Sequence, residues 1–262
     1  MLIKFWITHV LVCLLALTAS AKTDDPVSLF TNHTGDNDWT NPQNWEDQTL
    51  PGTNHIARLG RSAIARITTN MTVGALQNGV NASSSVIMDG GTITTTSRSL
   101  YNSASYNQSG SSLTILNGGQ LYIESYFIVG VRGTPGGSVS ISNGTLFVKG
   151  VYAHNRDFSE PAARNTRTTV HPDGTLNVGS LDLNAGVLDI SGGTVIVRQD
   201  NRYQLQEWIE NGRIVAMGGV DGWKIKIGYN EETAETLLTV EECEIILGKM
   251  DGRLTLNPQF VM

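Results

Sequence analysis

Val86-Ile-Met88 / Asp-Gly-Gly-Thr / Ile93-Thr-Thr95 is the first of five copies of one pattern: apolar-x-apolar, a tight turn, apolar-x-apolar. The second copy is Leu113-Thr-Ile115 / Leu-Asn-Gly-Gly-Gln / Leu121-Tyr-Ile123, and the third is Val139-Ser-Ile141 / Ser-Asn-Gly-Thr / Leu146-Phe-Val148. Thr169-Val170 / His-Pro-Asp-Gly-Thr / Leu176-Asn-Val178 and Leu188-Asp-Ile190 / Ser-Gly-Gly-Thr / Val195-Ile-Val197 complete the set. Apolar residues with period two turn one face of a short strand inward. Asn-Gly, Asp-Gly and Gly-Gly supply positive φ and let the chain reverse sharply.

Each copy alone reads as a β-hairpin; recurrence argues for a stack. The second glycine of each turn, or its equivalent, falls at Gly91, Gly119, Gly144, Gly174 and Gly193, at intervals of 28, 25, 30 and 19 residues. Such intervals suit stacked repeat units. Several copies add a third apolar step, at Phe127-Ile128-Val129, Val151 and Leu181-Asp-Leu183. Three short strands with bends between them make one coil, and only stacking buries its inward side chains. Residues 61–80 hold a poorer copy, with Ile64, Ile67, Val73 and Leu76 as inward candidates. The fold class expected is therefore all-β: a right-handed parallel β-helix, or solenoid, of about six coils.

Working outward, residues 1–21 read as a secretory signal peptide, with Lys4, an apolar run from Phe5 to Leu17 and a small-x-small site at Ala19-Ser-Ala21. That apolar run is too short for a membrane span, and Leu254–Met262 reads as no anchor. Cleavage removes Cys13 and leaves Cys243, so no internal disulfide is expected. The whole chain carries 18 basic and 24 acidic residues; without Lys4 the balance is 17 against 24, or −7. This acidity argues against nucleic acid and anionic membrane surfaces as partners.

Residues 22–60 read as an N-terminal cap. Trp39 and Trp45 there either cover the open end of the first coil or form a platform for a sugar ring. Asp36, Asp38, Glu46 and Asp47 cluster nearby, but no loop motif marks a Ca2+ site, so no cofactor and no metal is expected. Residues 61–200 are the coils. Residues 201–262 read as a C-terminal helix, near Arg202–Gly212, followed by a small β cap.

The layout resembles that of exported bacterial right-handed β-helix proteins, including planctomycete and verrucomicrobial secreted types, and the passenger repeats of autotransporters. The resemblance rests on Trp39-x-x-Pro-x-x-Trp45, Leu50-Pro-Gly, the Gly-Gly coils and Gln204-x-x-x-Trp208-Ile209-x-x-Gly212-x-Ile214. It implies a secreted or cell-surface location, and adhesion or polysaccharide handling.

Function in a β-helix is expected on its loops. The longest, residues 152–167, gathers His154, Arg156, Asp157, Glu160 and Arg164. A polysaccharide lyase would use such Arg, Tyr and His groups to neutralise a uronate and move its C5 proton. A glycoside hydrolase needs two carboxylates, for which Asp157 and Glu160 are the nearest pair. No motif fixes these residues, and a solvated loop is the plainer reading. The favoured function is therefore non-catalytic: an adhesive, structural or glycan-binding module, its partner a polysaccharide or cell-surface glycan. Trp39, Trp45, Tyr101, Tyr106, Tyr126 and Tyr152 are its expected exposed aromatics. The sequence names neither the ligand nor the assembly state.

Overall fold

The computed structural model describes residues 26–80, 82–97, 105–107, 110–130, 136–154, 165–243, 247–250 and 253–256. Strand β1 (Val27–Phe30) precedes six coils, each with one strand on each of three faces. The first coil holds β2 (Ile56–Gly60), β3 (Ile64–Ile67) and β4 (Met71–Val73). The second holds β5 (Ala75–Val80), β6 (Ser85–Asp89) and β7 (Thr92–Thr95), and the third β8 (Ser105–Asn107), β9 (Ser112–Leu116) and β10 (Gln120–Ile123). The fourth runs through β11 (Phe127–Val129), β12 (Ser138–Ile141) and the first half of β13 (Gly144–His154). The second half of β13 opens the fifth coil, which continues through β14 (Arg167–Val170) into β15 (Gly174–Leu183). The end of β15 opens the sixth, completed by β16 (Val187–Ile190) and β17 (Thr194–Arg198). The chain is a parallel β-solenoid, and the first coil starts at Ile56, inside the stretch expected to be cap.

The registers turn the sequence repeat into ladders. On the second face Ile67, Met88, Ile115, Ile141, Val170 and Ile190 lie in one line. On the third, Ile93, Leu121, Leu146, Leu176 and Val195 do the same. All are buried in one continuous core. Burial of each such side chain is worth about 1.5–3 kcal/mol gross, and no coil can achieve it without its neighbours. Ile64 is the exception among the expected inward residues: it points outward and is 42% exposed, while Ala65 takes the inward place.

The two turn residues have different jobs. The first, Gly118, carries the left-handed backbone with φ of 81°, as Asn117 before it does with 52°. The second, Gly119, does not have positive φ. It is glycine because a Cβ there would lie 2.5 Å from the Met88 carbonyl oxygen of the coil beneath. Gly144 meets the Gly119 carbonyl at 2.7 Å in the same way. Gly119→Ala is expected to cost about 1–3 kcal/mol, because backbone must move to admit the methyl. Gly118→Ala meets nothing within 4 Å and carries only its conformational cost, roughly 1 kcal/mol. Urea unfolding of the two variants checks this order; equal losses would mean that close stacking is not what selects glycine.

Both ends are closed. At the start, β1 pairs with β2, and Arg66 on β3 exchanges backbone hydrogen bonds with Asn37 and Trp39. At the other end the helix α1 (Arg202–Glu210) buries Leu205 and packs Trp208 and Ile209 on the core. Strand β18 (Ile214–Ala216) then returns as a seventh parallel strand of the second face, paired with β16. It is thus part of the stack and not of a separate cap. A hairpin of β19 (Trp223–Asn230) and β20 (Glu235–Glu242) closes the third face, with β20 antiparallel to β17. Among the described residues, strands β21 (Leu247–Met250) and β22 (Arg253–Leu256) pair with each other in a two-stranded sheet. Buried Asp189 ties this end down: it accepts hydrogen bonds from Ser191 Oγ at 2.9 Å and Gly218 N at 2.8 Å, and pairs with Arg167. No helix among the described residues is long and apolar enough to cross a membrane.

Candidate functional site

The sequence-derived candidates separate into three groups. Arg156, Asp157, Glu160 and Arg164, like Tyr101, lie outside the described residues, as does the leader 1–21. The segment 155–166 joins the first face to the second, as 130–137 does, so these two connections share one corner of the coil. Tyr101 belongs to a connection between β7 and β8, from the third face to the first, and therefore to a different corner.

Trp39, Trp45, Tyr152 and His154 are interior, which corrects the expectation that they are exposed aromatics or loop residues. Trp39 and Trp45 are 0% and 1% exposed. They meet edge to face at 4.7 Å, and Phe30 stacks on Trp39 at 5.7 Å. The Trp45 indole N–H donates to the Trp39 carbonyl at 2.9 Å, and the Trp39 indole N–H points at Met71 Sδ. Nothing of either ring is left for a sugar. Tyr152 stacks on Phe127 inside the coil at 5.8 Å, and its hydroxyl shares Thr168 Oγ1 with His154 Nε2. Burial pushes the Tyr152 phenol above its ordinary value and holds the His154 imidazole down to about 3. A buried, neutral histidine bonded only inside the core does not exchange protons with a substrate.

Tyr106 and Tyr126 are half-buried. The Tyr106 hydroxyl donates to Gln77 Oε1 at 3.1 Å, and burial raises its pKa. Asp36, from the acidic cluster, is engaged by neutral donors: Asp38 N at 2.9 Å and the Asn41 and Asn44 side-chain amides at 2.8 and 2.5 Å. Those bonds, the Asp38 amide first, hold its carboxyl well below the usual range. Among the described residues no three His, Cys, Asp or Glu side chains are grouped to hold a metal.

The surface with the most regular chemistry is the outer side of the third face. Period two sends Thr94, Tyr122, Phe147, Asn177 and Ile196 outward, and the registers set them in one row across β7, β10, β13, β15 and β17. Leu237 on β20 continues the row and is 41% exposed. The Tyr122 and Phe147 rings are 5.8 Å apart, and the Arg198 guanidinium lies 5.3 Å over the Phe147 ring. Asn177, between Phe147 and Ile196, is half-buried, and its side-chain oxygen is itself covered and without a hydrogen-bond partner. Alongside runs a polar row of Thr92, Gln120, Thr145, Thr175 and Thr194, one residue per strand. Beyond the aromatics, Lys149 and Glu124 pair at 2.7 Å. The signal for this strip was present in the sequence: Tyr122 and Phe147 are the middle residues of Leu121-Tyr-Ile123 and Leu146-Phe-Val148, where the other copies carry Thr, Asn or Ile.

Comparison with protein families, with curated proteins and with solved structures finds no match to this chain.

Proposed function

We propose that the chain is a non-catalytic, exported β-solenoid that binds a polysaccharide or cell-surface glycan on the outer side of its third face. The observation that carries this reading is the paired rows: Tyr122, Phe147, Asn177 and Ile196 beside Gln120, Thr145, Thr175 and Thr194. A pyranose ring has a C–H face that packs on aromatic and aliphatic groups, and a rim of hydroxyls that hydrogen-bonds. Strands about 4.8 Å apart repeat this combination once per coil, close to the rise of a monosaccharide in an extended glycan. A strand pair held by six coils pre-organises the side chains, so little ordering is needed on binding.

The kinship with planctomycete, verrucomicrobial and autotransporter-passenger solenoids belongs to the same proposal. Its support is the coil motif and the leader-like residues 1–21, which also support a secreted or surface location. An enzyme acting through residues 152–167 is not favoured, since His154 is buried and bonded inward.

Retention on insoluble polysaccharides and affinity electrophoresis in acidic and neutral soluble ones tests the proposal. Wild type is expected to be held back by at least one of them without releasing reducing or unsaturated ends. Tyr122→Ala/Phe147→Ala is expected to weaken retention about tenfold, the equivalent of about 1.4 kcal/mol, with its unfolding midpoint nearly unchanged. Equal retention of the double variant, or turnover by the wild type, would defeat the reading.

A further inference from the structure

A second site lies on another part of the molecule, at the corner where β2 leaves the first face. A cleft of about 180 Å3 is lined there by Leu29, Arg58, Gly60, Arg61, Val80 and Ala82. We infer that this cleft binds a single small oxyanion, a carboxylate or a sulfate, between the guanidinium groups of Arg58 and Arg61. The inference stands independently of the glycan strip on the third face.

Four observations converge on it. First, Arg58 is fixed in place without being neutralised. Its Nε and one Nη donate to Gln77 Oε1 at 3.0 and 2.9 Å, and the Tyr106 hydroxyl bonds to the same oxygen at 3.1 Å. Gln77 is 1% exposed and uncharged. An amide orients the guanidinium as a carboxylate would, yet leaves the full positive charge and three of five N–H donors uncommitted. No described carboxylate pairs with Arg58. Second, Arg61 lies on the same cleft. Its contact with Glu46 is long, at 3.9 Å, between two well-exposed side chains, so it competes little with a ligand.

Third, the backbone that presents Arg61 is unusual. Arg61 and Ser62 are consecutive non-glycine residues with φ of 56° and 62°. They form the two central positions of a turn closed by Ala63 N to Gly60 O at 3.1 Å. Asn-Gly is the usual choice for such a turn, and holding two side-chain-bearing residues there costs of order 1–3 kcal/mol each. Fourth, the ladder between β2 and β5 slips at Gly60, where a Cβ would lie 2.6 Å from the Val80 carbonyl. The extra residue of this bulge is Gly79 on β5, so the ladder breaks where β2 turns away, three residues after Arg58, and both arginines line the cleft there. The cleft is well below the roughly 300–1,000 Å3 of a whole small-molecule site. It therefore takes one ionised group, free or carried on a larger chain that stays outside. Leu29 and Val80 form its apolar walls, where charge-assisted hydrogen bonds are stronger than at open surface.

The test titrates the full folded chain with sodium sulfate, sodium glucuronate and N-acetylglucosamine 6-sulfate, read by calorimetry and Tm. Sodium chloride at matched ionic strength is the reference. A saturable heat is expected with at least one oxyanion and none with chloride. Arg61→Ala, at an exposed side chain, is expected to keep the wild-type Tm and weaken that binding at least tenfold, and Arg58→Gln to abolish it. Tighter binding of glucuronate assigns the carboxylate of a uronate, and tighter binding of the sulfated sugar assigns a sulfate ester. Equal binding of inorganic sulfate assigns a free oxyanion. Absence of saturable binding, or a Tm rise that grows linearly with salt and persists in Arg61→Ala, overturns the inference.

Discussion

Acidification from pH 6.5 to 4.5 is expected to remove about 2 kcal/mol of stability through His154 alone, and acidification to about pH 3 roughly 4 kcal/mol as an upper bound. His154 faces inward on β13, in register with Val129 on β11 and Leu183 on β15. It is fully buried, and its Nε2 bonds to Thr168 Oγ1 at 2.7 Å. Nδ1 has no partner in good hydrogen-bond geometry. Burial is the main reason the ring resists a proton; the Ala185 backbone works in the other direction, and Arg213 adds a smaller push the same way as burial.

The direction follows from comparing the two states. The unfolded chain takes up the proton near pH 6.5, and the folded chain only near 3. Between those values unfolding binds a proton, so stability falls as pH falls; above 6.5 both states are neutral and nothing changes. The carboxylates of Asp89, Asp200 and Glu241 are held below their ordinary values of 3.8–4.5 by their hydrogen-bonded and charged neighbours, so their contribution is lost only at lower pH. The window from 6.5 to 4.5 is therefore specific to the histidine. Urea unfolding across that window checks it. His154→Leu, which matches the Val129 and Leu183 ladder and leaves Thr168 bonded to Tyr152, should give a flat profile. A flat wild-type profile, or the same slope in His154→Leu, would contradict it.

Trp45→Ala is expected to cost about 3–5 kcal/mol, the range for emptying a large aromatic site. Trp45 touches Phe30 at 5.2 Å and Trp39 at 4.7 Å, each edge to face, and its N–H satisfies the Trp39 carbonyl. The three rings belong to the same buried core as Ala57, Leu59, Ala65 and Ile67 of the first coil, on the side where no earlier coil stacks. Removing one leaves a cavity against residues that no further coil covers. Trp45→Phe keeps most of the packing and loses the hydrogen bond, about 1 kcal/mol. Equilibrium unfolding separates the two, and dye binding to exposed apolar surface should rise only for alanine. If Trp45→Ala cost under 1 kcal/mol and instead weakened glycan retention, the rings would be a platform after all.

The solenoid was legible because its rule is local: Leu121-Tyr-Ile123 or Val195-Ile-Val197 announces an inward-outward-inward strand without reference to anything distant. What lay beyond that rule was hidden. Thr168 occupies a core rung between Val139 and Leu188, but a threonine looks like a surface residue until Tyr152 and His154 are seen to satisfy it. His154 follows Tyr152-Ala153 into what reads as loop, though β13 continues through it. The aromatic cap, the favoured reading, kept a sugar platform as its rival, since a sequence records the presence of Trp39 and Trp45 but not what covers them. The third-face strip failed to register for a different reason: its members are 25 to 30 residues apart, and only the register brings Tyr122, Phe147 and Asn177 side by side.

Length in this chain drifts at two of the three corners, and most at the one between the first and second faces. Between Val129 and Ser138, and between His154 and Arg167, the connections differ in size while the rungs on either side stay matched. A scaffold built this way separates its geometry from its cargo. Foreign peptides spliced into that vertex would be carried at intervals fixed by the rungs.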